Sequence, residues 1–234
     1  MDRTLKAFSL ILSYPTLEIQ QAMSEIGGVL ASDSRLTAAA RRDLRPLVEE
    51  LGQWDIYELE ERYVLLFDRS RTLSLNLFEH VHGESRDRGG AMVSLLETYR
   101  DGGFEPVTSE LPDHLPVLLE FLSTLPNPEA QEVLTDAAHI LDAMKTRLLR
   151  RESPYFAVFA ALLQLSGAKV DGAAVAELLE QPEVDPYDLE ALDEVWEESE
   201  VLFGPDPNAG CPQVRDMLAR MDGPTGLSSQ HAAE

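Results

Sequence analysis

The stretch Phe78-Glu79-His80-Val81-His82-Gly83-Glu84-Ser85-Arg86-Asp87-Arg88-Gly89 gathers the side chains best suited to acid–base or metal chemistry. His80 and His82 offer imidazole nitrogens, and Glu79, Glu84 and Asp87 offer carboxylates, a set chemically fit for a divalent metal. The spacing works against it on a helix, where residues two apart point about 200° apart; they share a face only on a strand. The HExxH pattern of helix-borne zinc sites is absent. The same side chains also suit hydrogen bonding and helix capping. Gly83-Glu84-Ser85-Arg86 reads as a helix entry, with Glu84 and Asp87 at the positive end of the dipole. A metal-dependent hydrolase built on His80 and His82, a structural cluster and a binding surface all stay open on these residues alone.

The second polar stretch is Glu110-Leu111-Pro112-Asp113-His114-Leu115-Pro116, leading into Val117-Leu118-Leu119-Glu120-Phe121. Pro112 suits a first helical turn, and Asp113 suits the helix dipole or a backbone hydrogen bond. Asp113, His114 and Ser85 supply the types of a nucleophilic triad, but nothing in the spacing brings them together. His114 reads as a structural or peptide-contacting residue, and His139 as a core or boundary histidine. There is no GxGxxG after a strand and no phosphate loop ending in Lys-Ser/Thr.

Composition narrows the class. The 234 residues carry 42 Asp+Glu against 19 Lys+Arg, a net charge of -23. That excess disfavours nucleic acid and anionic membrane surfaces, which both need clustered basic residues. Cys211 is the one cysteine, so no intrachain disulfide and no Cys-rich metal site can form. The opening MDRTLKAF has no apolar signal-peptide core, and no apolar run reaches membrane-helix length. The expectation is a soluble, cytoplasmic protein. Residues 170–234 hold 16 acidic and only 2 basic residues, densest from Glu177 to Glu200. There Leu189, Leu192, Val195 and Trp196 recur at helical intervals among Glu190, Asp193, Glu194, Glu197 and Glu198. This acidic surface reads either as a solubilising face or as a dock for a basic partner.

The elements that must position these residues are helical nearly throughout. Apolar periodicity predicts helices from Leu5 to Tyr14, over 16–30 with Thr16 as cap and Gly27-Gly28 weakening its end, and over 36–51 with Pro46 inside. Others are predicted over 56–67 behind Asp55, over 84–100, and from Pro112 or Pro116 to Leu125. A single long helix is predicted over 129–151, then helices from Ser153-Pro154 to Leu165, over 171–180 and over 188–199. Leu73 to Phe78 reads as a short helix or irregular segment rather than a strand. The sum is an all-α, single-domain orthogonal bundle of about ten helices with no significant sheet. The domain spans 1–203, and the Gly/Pro-rich residues 204–234 form a disordered tail.

The segment FDRSRTLSLNLFEHVHGESRDRG at 67–89 resembles the signature region of the NarJ-type chaperones of respiratory nitrate reductase. ELPDHLPVLLEFL at 110–122 resembles their second signature, LDEVWEESEVLF at 192–203 their acidic C-terminal helix, and Ser9-Leu10-Ile11-Leu12-Ser13-Tyr14-Pro15 their opening. The resemblance runs in order over about residues 5–203. It implies an all-α fold and a cytoplasmic, non-catalytic assembly chaperone without a cofactor. The implied partner is the apo alpha subunit of membrane-bound nitrate reductase, bound through its N-terminal segment and kept competent for molybdenum cofactor and iron–sulfur insertion before membrane docking. A relative serving another molybdoenzyme is the alternative. An amphipathic client helix would lie in a groove between helices. Tyr14, Glu79, His80, His82, Arg86, Asp87, Asp113, His114 and Glu120 are the candidate client contacts, and histidine protonation would tune affinity near neutral pH. With equal weight, Arg69, Arg71, Arg86 and Arg88 brace Asp68, Asp87 and Asp113 internally.

Overall fold

The computed structural model describes residues 1–82 and 87–181, with the side chains of His82 and Asp87 excluded. Eleven α-helices occur among them: α1 Arg3–Ile11, α2 Leu17–Ser32, α3 Ala38–Gln53, α4 Ile56–Tyr63, α5 Leu77–His82, α6 Asp87–Asp101, α7 Leu115–Thr124, α8 Asn127–Asp136, α9 Ala138–Arg150, α10 Phe156–Ser166 and α11 Gly172–Glu180. A π-helical turn, Val64–Asp68, and a 3-10 turn, Arg71–Leu73, separate α4 from α5. The described chain has no sheet, only an isolated antiparallel bridge between Asn76 and His114. The all-α expectation therefore holds. The predicted helix over 188–199, the acidic surface Glu190, Asp193, Glu194, Glu197 and Glu198, and the predicted tail over 204–234 lie outside the described residues.

Short polar side chains start the helices where the sequence places them. Asp2 accepts from the Thr4 and Leu5 amides, Thr16 from Ile19, Thr37 from Ala40, Asp55 from Tyr57 and Asp171 from Ala173. Each such cap satisfies amides that have no partner within the helix and contributes about 1 kcal/mol. One apolar core then joins the helices. Phe8, Leu12, Leu119, Leu122, Leu141, Met144, Leu148, Phe159 and Leu162 are all fully buried. α1 packs on α7, α2 on α3, and α9 on both α10 and α11.

Four expectations need correction. The predicted helix over 129–151 is two, α8 and α9, parted at Ala137. No proline or glycine marks that joint. On the α8 side of the joint, Gln131 Nε2 and Thr135 Oγ1 both donate to the Ser166 carbonyl at the end of α10, tying α8 to α10. Gly27 and Gly28 do not end α2, which runs on to Ser32. A Cβ at Gly27 would stand 3.1 Å from Val48 Cγ1, so the glycine permits close packing against α3. The segment expected as helix over 56–67 closes in the π turn, whose Arg69 amide reaches back to the Val64 carbonyl at 2.9 Å. Pro112 does not open a helix; α7 begins at Leu115 with Pro116 in its first turn.

Two polar ties hold the bundle. Arg147, fully buried on α9, donates to the Thr72 carbonyl at 2.9 Å and to the Leu178 carbonyl, linking the 3-10 turn and α11. Arg35 bridges Asp2 and Asp33, fastening the start of α1 to the end of α2. Its hydrogen bonds, aided by one from Thr4, pull the Asp33 pKa down from 3.8 to about 2 despite desolvation.

Two measurable outcomes result. Replacing Arg147 with Met should lower unfolding stability by about 3 kcal/mol in denaturant titration, the scale of two charge-assisted bonds lost with their carbonyls left buried. A carboxylate with a depressed folded pKa stabilises above its unfolded value and loses that contribution as pH falls through the folded one. Wild type should therefore lose stability relative to Asp33→Asn as pH drops from 3.8 towards about 2, read as converging denaturation midpoints.

Candidate functional site

A groove of about 640 Å³ opens between the end of α1, the start of α2, the π turn, the loop over 104–110 and the first turns of α7. Its apolar lining comes from Tyr14, Ile19, Tyr63, Phe104, Pro106, Val107, Pro116 and Val117. Its charged lining is Asp68, Glu105, Glu110 and Glu120, with His114 beside them and no Lys or Arg. Tyr63 is buried and donates its hydroxyl to the Leu12 carbonyl at 3.0 Å. Tyr14 packs edge-on against it, ring centroids 5.4 Å apart. The opposite wall is anchored by Phe104, packed on Tyr99 and Phe121. Gly102 makes room for that anchor, since a Cβ there would lie 2.6 Å from the Phe121 ring. Val107 stands fully exposed on the lip.

The predicted site residues divide into two groups. Tyr14, His114 and Glu120 line the groove. Glu120 is already paired with Lys6. His114 Nδ1 is buried without a hydrogen-bond partner, and burial lowers the imidazole pKa against an opposing pull from Glu110.

Glu79, His80 and Asp113 do not line the groove; they brace its wall. The Asp113 carboxylate accepts the Phe78 amide at 2.9 Å, so it caps α5 rather than its own helix. On either side the Leu77 amide donates to the Asp113 carbonyl (3.1 Å) and the Leu115 amide to the Leu75 carbonyl (2.8 Å). Burial raises the Asp113 pKa, while the Phe78 amide and the Arg88 charge oppose that rise. His80 sits 2.8 Å through Nε2 from the Ser74 carbonyl, and burial lowers its pKa, which favours a neutral ring donating to that oxygen. Glu79 accepts from the Ser74 hydroxyl at 2.6 Å. Arg86 and the side chains of His82 and Asp87 lie outside the described residues.

Asp113 accepts the Phe78 amide through Oδ2, its Oδ1 has no hydrogen-bond partner, and neither meets His114 Nδ1, so Asp113 does not orient His114 as a triad acid would. His80 spends Nε2 on a carbonyl, and no group of three His, Cys, Asp or Glu among the described residues could hold a metal. Asp68, Tyr63 and the 104–110 loop were not anticipated in the groove. Asp68 and Glu110 both stand inside the two signature segments, but position in a motif carries no sign of which way a side chain faces.

The nitrate reductase delta subunit family model matches residues 33–161. The nitrate reductase molybdenum cofactor assembly chaperone NarJ of Escherichia coli K12 is 42% identical over 202 residues, 86% of this chain and 85% of that protein. The probable nitrate reductase molybdenum cofactor assembly chaperone NarW of the same strain is 39% identical over 209 residues, 88% and 86% of the two chains. Among solved structures, an Archaeoglobus fulgidus protein assigned to redox enzyme maturation superposes with a TM-score of 0.52 at 27% identity, covering 70% of this chain and 92% of that one. The chain belongs to the nitrate reductase delta subunit family, as a NarJ-type member.

Proposed function

We propose that the protein is a cytoplasmic assembly chaperone for respiratory nitrate reductase. It holds the apo alpha subunit by its N-terminal segment and keeps it competent for molybdenum cofactor and iron–sulfur insertion before membrane docking. The observation that carries this reading is the groove itself: an apolar floor with an acidic rim that has no basic lining residue. An amphipathic client helix would place its apolar face on Ile19, Phe104, Val107 and Val117 and its basic face towards the carboxylates. Such an occupant needs no chemistry from the chaperone, in keeping with relatives named as chaperones rather than catalysts. No described helix is long and apolar enough to cross a membrane. Release requires only a modest affinity change, about 1.4 kcal/mol per tenfold.

The test is a calorimetric titration of the full chain with a peptide of the first twenty or so residues of the cognate alpha subunit. A scrambled peptide and N-terminal peptides of other molybdoenzymes serve as comparison. Saturable binding of the cognate peptide alone, weakening with salt because exposed charges are screened beyond about 8 Å at physiological ionic strength, is expected. Val107→Asp should weaken binding about tenfold by placing a charge against the client's apolar face, with little effect on folding because Val107 is fully exposed. Absence of saturable binding, or unchanged affinity in Val107→Asp, would reject the groove as the client site.

A further inference from the structure

We propose that the acidic stretch 183–192, which follows α11, docks back on an arginine face made by the end of α9 and the 3-10 turn, and straps the two together. The face is carried by Arg71, Arg150 and Arg151. None of these arginines lines the groove, so the proposal stands apart from the client reading.

The first support is the face itself. Arg147, Arg150 and Arg151 lie three and four residues apart at the end of α9, and so share one side of it. Arg147 is buried and donates to the Thr72 carbonyl at 2.9 Å; Arg151 donates to the Ser70 hydroxyl at 3.2 Å. These bonds hold the 3-10 turn against that side of α9, with Arg71 between the two bonded residues. Arg150 is exposed, and Arg71 and Arg151 are half-buried. A positive corner is thus assembled from two separate parts of the chain.

The second support is where the acidic stretch begins. Arg147 also donates to the carbonyl of Leu178, two residues before the end of α11. Gln181, with φ -59 and ψ 130, has left the helix and taken the extended backbone that a following proline, here Pro182, imposes. Glu183 lies five residues beyond Leu178, at most about 18 Å of extended chain. Arg151 stands only about 6 Å further along α9 than Arg147. The first carboxylates are therefore tethered within reach of the arginine face, at an effective concentration on the millimolar scale.

The third support is charge. Glu183, Asp185, Asp188 and Glu190 fall in a stretch with no Lys or Arg anywhere from residue 170 to residue 214. Such a stretch repels itself and finds its cations only in other parts of the chain or in a partner. The groove lining, with Asp68, Glu105, Glu110 and Glu120, repels it too. Arg35, Arg62 and Lys6 sit against carboxylates of the bundle. At the corner where the chain leaves α11, the surface is arginine, whose planar fork meets carboxylates two bonds at a time. Single exposed ion pairs are weak, so the docking draws on several at once and on the short tether. The acidic stretch then finds its first basic partner within its own chain.

The experiment uses the full chain with Cys211→Ser and spin labels on Leu149→Cys, exposed on α9, and Ala191→Cys. Distances are read by double electron–electron resonance. The expected result is one sharp, short distance. Arg150→Glu/Arg151→Glu should abolish it, and adding Asp185→Arg/Asp188→Arg to that variant should bring it back. Thermal melts check folding, because Arg151 also bonds Ser70. Glu183→Gln/Asp185→Asn/Asp188→Asn/Glu190→Gln should lose the sharp distance equally, with the arginine face left intact. A broad distribution in the protein without charge changes overturns the strap. So does a sharp distance that survives either set of charge changes, or a loss that the charge swap does not restore.

Discussion

The short backbone bridge between Asn76 and His114 is the constraint on which the site depends. It consists of two main-chain bonds, from the Leu77 amide to the Asp113 carbonyl and from the Leu115 amide to the Leu75 carbonyl, and is reinforced by the Asp113 carboxylate on the Phe78 amide. Together these bonds fasten the start of α5 to the start of α7. Once α7 is placed, Pro116 and Val117 form the groove floor, with His114 and Glu120 at its margin. Tyr99 closes the same arrangement from α6 by donating its hydroxyl to the Pro112 carbonyl at 2.6 Å. A buried carboxylate is a costly device for this work, and a main-chain amide and a nearby arginine charge offset only part of its desolvation.

Charge is handled in two ways across the surface. On the bundle's flanks, some acids are matched with bases, as with Arg35 between Asp2 and Asp33. Arg62 pairs with Glu50 while lying over the Trp54 ring at 4.7 Å. Around the groove, most carboxylates lack that compensation. Part of the overall charge of -23 thus lies in the lining of the groove, at Asp68, Glu105, Glu110 and Glu120.

The two polar stretches were conspicuous in the sequence, but their division of labour was not. Glu79, His80, Asp113, His114 and Glu120 share residue types and lie within two short signatures. Three of them brace and two face the groove. The deciding factor is which backbone carbonyl or amide each side chain meets, as with His80 on Ser74 and Asp113 on Phe78. Those partners come from turns whose course local periodicity does not report. The π turn is the sharpest instance, since a 3.6-residue pattern carries through to Phe67 while the chain has already widened to present Asp68.

Sequence by itself determined the helical class, most helix starts and the core face of each helix. Caps such as Thr16 and Asp55, and apolar positions such as Leu134, Leu141 and Leu148, are local properties readable from spacing. It also carried the family, through long motifs kept in order. Tertiary structure alone decided the tie of α8 to α10, the inward turn of His80 and the presence of Asp68 and Glu110 in one groove. Each of these depends on separate elements: Gln131 bonds Ser166, Ser74 meets the α5 side chains, and the π turn and the 104–110 loop line one groove. A hydrophobic pattern states which face of a helix is buried; only packing states what that face, and the polar residues at its edges, will meet.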